Sequence, residues 1–380
     1  MTEIPSLLYT DIEDDLRAAL RGLLADRCAW SDVLARIDGD EPYDDALWKA
    51  VAVELGLAGL LVPESLGGAG ATARESAVAM EELGRAVAPV PYLASAVLAT
   101  AALLAAPEGT VRDDALRALA SGARTATLAV PATTWPGSGF PDALGGTPHG
   151  DGRVRLRGTV TAVPAADRAD VLVLPVVVDG APCLAVADAS AEGVSRSRTT
   201  TLDATRPVGT VVLDDVTATA IAAAGPAEEA LRRALTVGAA LLASEQLAVA
   251  ERALEETVGY LKVRHQFGRP IGSYQALRHR AADLWADIAA ARAAARYAAA
   301  AVAEESPDAA VAASLAQAFC GDVAVHAAEE CVQMHGGIGF TWEHPAHLYL
   351  KRAMSTNLLL GTPDRHRGHL ATLVGLPPTP

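Results

Sequence analysis

"YLKVRHQFGRPIGSYQALRHRAADLWADI", residues 260–288, decides how this chain is read. To its left, a long amphipathic stretch runs from Pro226 to roughly Val263, with apolar residues at helical intervals. "FGRPIG" (267–272) breaks it, because Gly and Pro both interrupt a helix. Ser273 is placed to cap the next helix, "YQALRHRAADLWADIAAARAAARYAAAAVAEE". Two long helices joined by so short a connection are expected to pack as antiparallel neighbours.

Toward the C-terminus, "SPDAAVAASLAQAFCGDVAVHAAEECVQMH" opens with Ser306 at a helix cap and Pro307 at the first helical position. Gly336 and Gly337 stop that helix. Two further helices are expected, the last beginning near Thr362-Pro363. The broad Ala/Val/Leu faces of these helices predict an oligomer interface.

Toward the N-terminus the period changes. "ARTATLAVPATT", "GRVRLRGTVTAV", "ADVLVLPVVV", "APCLAVADA" and "PVGTVVLDDVTAT" are short, rich in Val and Thr, and punctuated by Gly, Pro and Asp. They read as strands. Before them, "DIEDDLRAALRGLLADR", "DDALWKAVAVELGLAGL" and "ARESAVAMEELGRAVAPVPYLASAVLATAALLAA" read as helices, with Pro89–Pro91 marking a boundary. The fold class is therefore α+β, mostly α. The expected domains are an N-terminal helical domain (1–118), a middle β-barrel-like domain (119–220) and a C-terminal four-helix bundle (221–380).

A chain of 380 residues that is 51% hydrophobic and 20% charged buries a large core. Its formal charge of −15 argues against general nucleic-acid binding, which needs a basic face, but leaves room for a small anionic ligand held by a few arginines. Cys28, Cys183, Cys320 and Cys331 show no metal or disulfide spacing and read as buried thiols. His344, His347, His366 and His369 lack the companion acids or cysteines of a metal site, and His335 reads as a packing residue. The acidic N-terminus lacks a signal-peptide layout and no uninterrupted apolar run reaches 18 residues, so the expected location is the cytoplasm.

"GGAG" (67–70) and "HGGIGF" (335–340) are not dinucleotide fingerprints, because neither follows a strand within a βαβ unit. Taken together with 260–288, however, "CVQMHGGIGFTWEHPAHLYLKRAMSTNLLLGT" (331–362), "LVPESLGGAG" and "LRGTVTAVPAADRADVLVLPV" resemble the acyl-CoA dehydrogenase family over nearly the whole chain and in its order. The resemblance implies FAD as cofactor, bound across a subunit interface, and an acyl-CoA substrate. By the same resemblance, Arg264, Gln266 and Phe267 match the segment that meets the pyrophosphate from the neighbouring subunit. Gln275 matches a glutamine eleven residues on. Gln333, Gly336 and Gly337 match the Q-x-x-G-G near the adenosine end, and Thr362 matches the threonine of a late Gly-Thr. These residue types suit dinucleotide binding, since Arg offers fixed charged donors, Gln both donors and acceptors, and Gly a close backbone approach.

The family's reaction needs a carboxylate to remove an α-proton from the thioester while the β-hydride goes to the flavin. One customary position for it precedes the late Gly-Thr and is Leu360 here; the other falls near Gly238, beside Ala239. Neither can accept a proton. Glu229 and Glu245 are the nearest acids on that helix. The Thr-Glu-Pro landmark of the flavin ring is also reduced, with Ala129 and Val130 before Pro131, and the Trp-Ile-Thr segment reads "VTAVPAAD".

The chain thus resembles the base-less subunits of unequal-subunit acyl-CoA dehydrogenases of the steroid-catabolic type. The resemblance implies a catalytic residue set of none in this chain and a homologous partner carrying the glutamate, as in a heterotetramer. An electron-transfer flavoprotein is the implied acceptor. Two alternatives stand beside it: a homo-oligomeric flavoprotein with a displaced base or different oxidative chemistry, and a non-catalytic scaffold.

Overall fold

A computed structural model describes residues 6–377, so the outermost ends of the expected first and last domains lie outside the described residues. The helices are α1 (Asp11–Arg27), α2 (Trp30–Ile37), α3 (Asp45–Lys49), α4 (Ala73–Arg85), α5 (Thr100–Ala105) and α6 (Thr110–Ala120). Seven strands follow: β1 (Ala126–Leu128), β2 (Leu144–Pro148), β3 (Arg153–Pro164), β4 (Val171–Val178), β5 (Ala181–Asp188), β6 (Val194–Thr199) and β7 (Val208–Ala223). Then come α7 (Gly225–Val263), a short hairpin of β8 (His265–Gln266) and β9 (Arg269–Pro270), α8 (Gln275–Ala303), α9 (Ala309–His335), α10 (Ala346–Leu358) and α11 (Pro363–Leu373).

The chain divides into two compact units, each drawing on distant segments. One contains the segment through Asp38, Ala77–Ala88 and everything from Ala240. The other contains Gly39–Ser76 and Pro89–Ala239.

In the first unit, α1 starts in a capping box. Thr10 N donates to Glu13 Oε2 at 2.6 Å, and Thr10 Oγ1 accepts from Glu13 N. The bundle of α7 to α10 owes its close packing to alanine. Ala291, Ala295 and Ala298 are fully buried along α8, and Cys320 Sγ of α9 donates to Ala291 O at 3.4 Å. Side chains this small let helix axes approach closely. Helices Gly225–Val263 and Ala309–Phe340 have the length and apolar character of a membrane span, but 94% and 56% of their apolar windows are buried inside the protein. All four cysteines are buried.

In the second unit the sheet returns on itself. β4 pairs with β2, β2 with β3, β3 with β7, β7 with β5, and β5 again with β4. The ring closes because β7 is long. Val208–Thr219 pairs with β3, while Thr219–Ala223 reaches β5. The interior is an aliphatic cluster that includes Leu156, Leu172, Leu174, Val176 and Val211.

β2 and β6 are absent from the strands read in the sequence. β2, "LGGTP", holds two glycines and a proline and is recruited by its neighbours. β6, "VSRSRT", is an edge strand with mostly exposed polar side chains. Neither carries the alternating pattern that reveals a strand. Ser306 and Pro307 precede α9 rather than entering it: the helix begins at Ala309, and Ser306 Oγ accepts from Asp308 N.

Candidate functional site

The break between α7 and α8 is a two-residue hairpin. Gln266 pairs with Arg269, and the central Phe267 and Gly268 both have positive φ, +52° and +75°. That is the geometry of a type I′ turn, whose twist matches a hairpin. Ile271 N donates to Arg264 O at 2.8 Å and closes its base. Tyr274 braces the turn: Phe267 meets its ring edge-on, with centroids 6.5 Å apart, and the Arg269 guanidinium lies 4.0 Å above it. Phe267 is left 90% exposed, and Arg264, Gln266 and Gln275 are exposed as well. Among the described residues no carboxylate pairs with Arg264. Ser273 does not cap α8; the helix begins at Gln275 with Tyr274 at the cap position, because Ile271–Ser273 forms a 3₁₀ turn of its own.

The end of α9 meets the last turn of α7, which leads into this hairpin. Gln333 is exposed, and Gly336 ends the helix at φ +61°, ψ −139°. A Cβ at Gly336 or Gly337 would meet nothing within 4 Å, so the turn presents open backbone. The buried His335 anchors it. Its Nδ1 donates to Cys331 O at 2.6 Å, and its ring lies 4.4 Å from Tyr260 and 4.2 Å from His344. Tyr260 sits on α7 four residues before Arg264. The Tyr260–His335 contact therefore joins the arginine hairpin and the glycine turn at one end of the bundle. Burial holds His335 and His344 below the ordinary histidine range. The sequence reading gave His335 only packing and passed over Tyr260; the four-residue spacing from Arg264 was the available signal.

Thr362 does not join that set within the chain. It caps α11, accepting from Arg365 N, with Pro363 at the first helical position. Pro363 lies against Gly321 of α9, twelve residues and about 18 Å along the helix from Gln333.

The two expected base positions hold no acid. Leu360 is buried at φ +58°, and its carbonyl accepts a 2.9 Å hydrogen bond from His366 Nε2. Gly238 is buried within α7. Glu245 is engaged in an ion pair with Arg352, Oε1 to Nη1 at 2.8 Å, both side chains 1% exposed. Glu229 is an exposed partner of Arg232 one turn away. In the sheet unit, Ala129 and Val130 stand at the end of β1 with both side chains buried.

The exposed arginine–glutamine hairpin, the open glycine turn and the closed sheet belong to a chain whose family matches make it an oxidoreductase of the acyl-CoA dehydrogenase type. Residues 10–123 match the model of the acyl-CoA dehydrogenase N-terminal domain, and residues 219–374 that of its C-terminal domain. The chain belongs to the acyl-CoA dehydrogenase family of oxidoreductases. It is 36% identical over 348 residues to acyl-CoA dehydrogenase IpdE2 of Mycobacterium tuberculosis, covering 92% of each chain. Among solved structures it resembles a variant of the Tcur3481-Tcur3483 steroid ACAD, with a TM-score of 0.85 and 31% identity over 96% of this chain and 98% of that one. It also resembles the ChsE4-ChsE5 complex from Mycobacterium tuberculosis, with a TM-score of 0.87 and 27% identity over 99% and 100%.

Proposed function

We propose that this chain is a subunit of a flavin-dependent acyl-CoA dehydrogenase that lacks its own catalytic carboxylate. It supplies ADP-side contacts to FAD held together with a homologous, glutamate-bearing subunit. The observation that carries the reading is a contrast in commitment. At the base positions there is a buried leucine and a glycine, and Glu245 is tied up in a buried ion pair. At the bundle end, Arg264, Gln266, Gln275 and Gln333 are exposed, next to a glycine turn with open backbone.

FAD, when bound, supplies the hydride acceptor for α,β-desaturation of the thioester. The residues of this chain fit its ADP half. Arg264 offers a permanently charged fork to a phosphate. Gln333 and Gln275 offer both donors and acceptors. The Gly336–Gly337 backbone admits close approach. No residue of this chain at either base position can take the α-proton, so that step falls to the partner. The likeness to a steroid ACAD and to the ChsE4-ChsE5 complex supports a steroid-derived acyl-CoA as substrate and a two-protein assembly as the working form. The same reading retains Thr362 as a cofactor contact at a separate place in the assembly, electron-transfer flavoprotein as acceptor, the cytoplasm as location, and the 1–118, 119–220 and 221–380 division as functional domains.

Co-expression with a glutamate-bearing homologue tests the reading. The complex is expected to purify yellow and to desaturate acyl-CoA. Arg264→Ala is expected to strip flavin from it while leaving the two chains associated. Full flavin loading and dehydrogenase activity in the lone chain would overturn the reading.

A further inference from the structure

His335 occupies an unusual place for a helix-terminal residue. It is 3% exposed, directly precedes the glycine turn, and meets Tyr260, the α7 residue four before Arg264. Its Nδ1 is committed to Cys331 O, the last turn of its own helix. That bond makes Nδ1 the protonated nitrogen of the neutral ring, leaving Nε2 as an acceptor. Nε2 is buried and has no hydrogen-bond partner among the described residues. One ring face meets Tyr260, four residues before Arg264 on α7; His344 lies 4.2 Å away, beyond the glycine turn. Gly339 closes the packing: a Cβ there would fall 3.0 Å from His335 Cβ and 2.5 Å from Val332 O.

We propose that His335 is a positioning residue that locks the Gln333–Gly337 turn to the Arg264 hairpin, and that the lock holds only while the imidazole is neutral. The inference rests on the flavin role assigned above and extends it by making retention of the ADP half sensitive to protonation of one residue outside the contact set.

The groups facing His335 fix the sign of the effect. From α7 come Tyr260 and the Glu256 carboxylate, from the segment after the turn comes His344, and from its own helix comes Cys331. Glu256 favours the charged ring, but burial outweighs it and the ring's affinity for protons falls below the ordinary value of 6.5. Protonation would place a second donor on Nε2 where no acceptor stands among the described residues, beside a histidine that repels the charge. A buried donor without a partner is costly. The Tyr260–His335–His344 stack then loosens, and the two halves of the flavin-contact set lose their mutual placement.

The experiment uses the FAD-loaded complex with its glutamate-bearing partner, following flavin release by fluorescence as pH is lowered from about 8 to about 5. The wild type is expected to release flavin progressively below pH 6.5. His335→Phe keeps the ring contacts but cannot titrate, so its release should rise less steeply with acid than the wild type's, the remaining slope coming from His344 and His366. His335→Ala should release flavin roughly three- to tenfold faster at every pH, the size of a lost hydrogen bond and contact. A pH profile for His335→Phe that overlays the wild type would overturn the proposal, as would unchanged retention in His335→Ala.

Amide hydrogen exchange over residues 333–341 in the flavin-free chain supplies the second readout. It should quicken at low pH in the wild type, relative to an exposed-loop control that corrects for intrinsic rates, and should quicken less in His335→Phe. Relative exchange that is equal in the two proteins overturns the lock. A lock seen in exchange, together with a complex that never binds flavin, leaves the proposed positioning intact and removes the flavin reading instead.

Discussion

Glu245 of α7 and Arg352 of α10 form an ion pair sealed from solvent, Oε1 to Nη1 at 2.8 Å with both side chains 1% exposed. The pair fixes two bundle helices and removes from catalysis the acid on α7 best placed in sequence to replace a missing base. Glu245→Ala is expected to leave Arg352 buried without this carboxylate, at a cost of about 3–5 kcal/mol. A joint Glu245→Met, Arg352→Leu replacement should recover most of that, since apolar residues often substitute well for a buried pair. Urea midpoints of the single and double variants check this. If Glu245 were a working base, the double variant would be stable and the complex dead; the expected outcome is a stable variant with undiminished turnover per flavin.

The glycines of "VPESLGGAG" are held in a tightly packed turn. A Cβ on Gly68 would run into the Val62 carbonyl, while Ala69 N and Gly70 N donate to Gly59 O and Val62 O at 2.9 Å. The strand and βαβ context of a dinucleotide loop is missing. Gly68→Ala is expected to lower stability by about 1–3 kcal/mol through overpacking, read as a fall in melting temperature with no direct change in flavin content per folded chain.

Much of this architecture was legible because the signals were local. The 3.6-residue period carried through α7, α8 and α9, and "FGRPIG" marked the hairpin between the first two. β2 and β6 escaped because their pairing comes from neighbouring strands rather than from their own side chains. The commitment of Glu245 was invisible as well, since its partner lies 107 residues away. So was the anchoring of the glycine turn, since Tyr260 and His335 meet only when α7 and α9 pack. Pro363, the residue after Thr362, sits by Gly321 rather than with Gln333, a separation that no linear motif contains.

His366 gives the fold an acid limit. It is fully buried, its Nε2 donates to Leu360 O, and burial pushes its pKa down to about 4. The folded ring therefore binds a proton less readily than the unfolded one, whose value is 6.5. Its contribution is complete above pH 6.5 and is lost as the pH falls from there toward 4, on the order of 3 kcal/mol at full extent. His335, with its value also lowered by burial, acts in the same direction. Unfolding free energy measured by urea between about pH 7.5 and about pH 4.5 should fall with acidification, and His366→Phe should flatten the slope even if it lowers stability throughout.

Leu360 holds an unusual backbone at one of the two expected base positions. At φ +58° it takes a left-handed conformation that costs a non-glycine residue roughly 1–2 kcal/mol. The His366 hydrogen bond and burial of the leucine side chain hold it there. Leu360→Glu places a carboxylate at the expected base position, yet it is expected not to create a dehydrogenase in the lone chain. The Thr-Glu-Pro pattern that the resemblance implies for the flavin ring is reduced as well, with Ala129 and Val130 buried at the end of β1. The substitution also buries a charge beside a carbonyl and a neutral histidine, so the chain should lose about 2–5 kcal/mol of stability, or else hold the new carboxyl group protonated. Desaturation assayed with an artificial electron acceptor and added FAD checks the point. Turnover by the single variant alone would show that the missing carboxylate was the chain's sole deficiency and that it needs no partner.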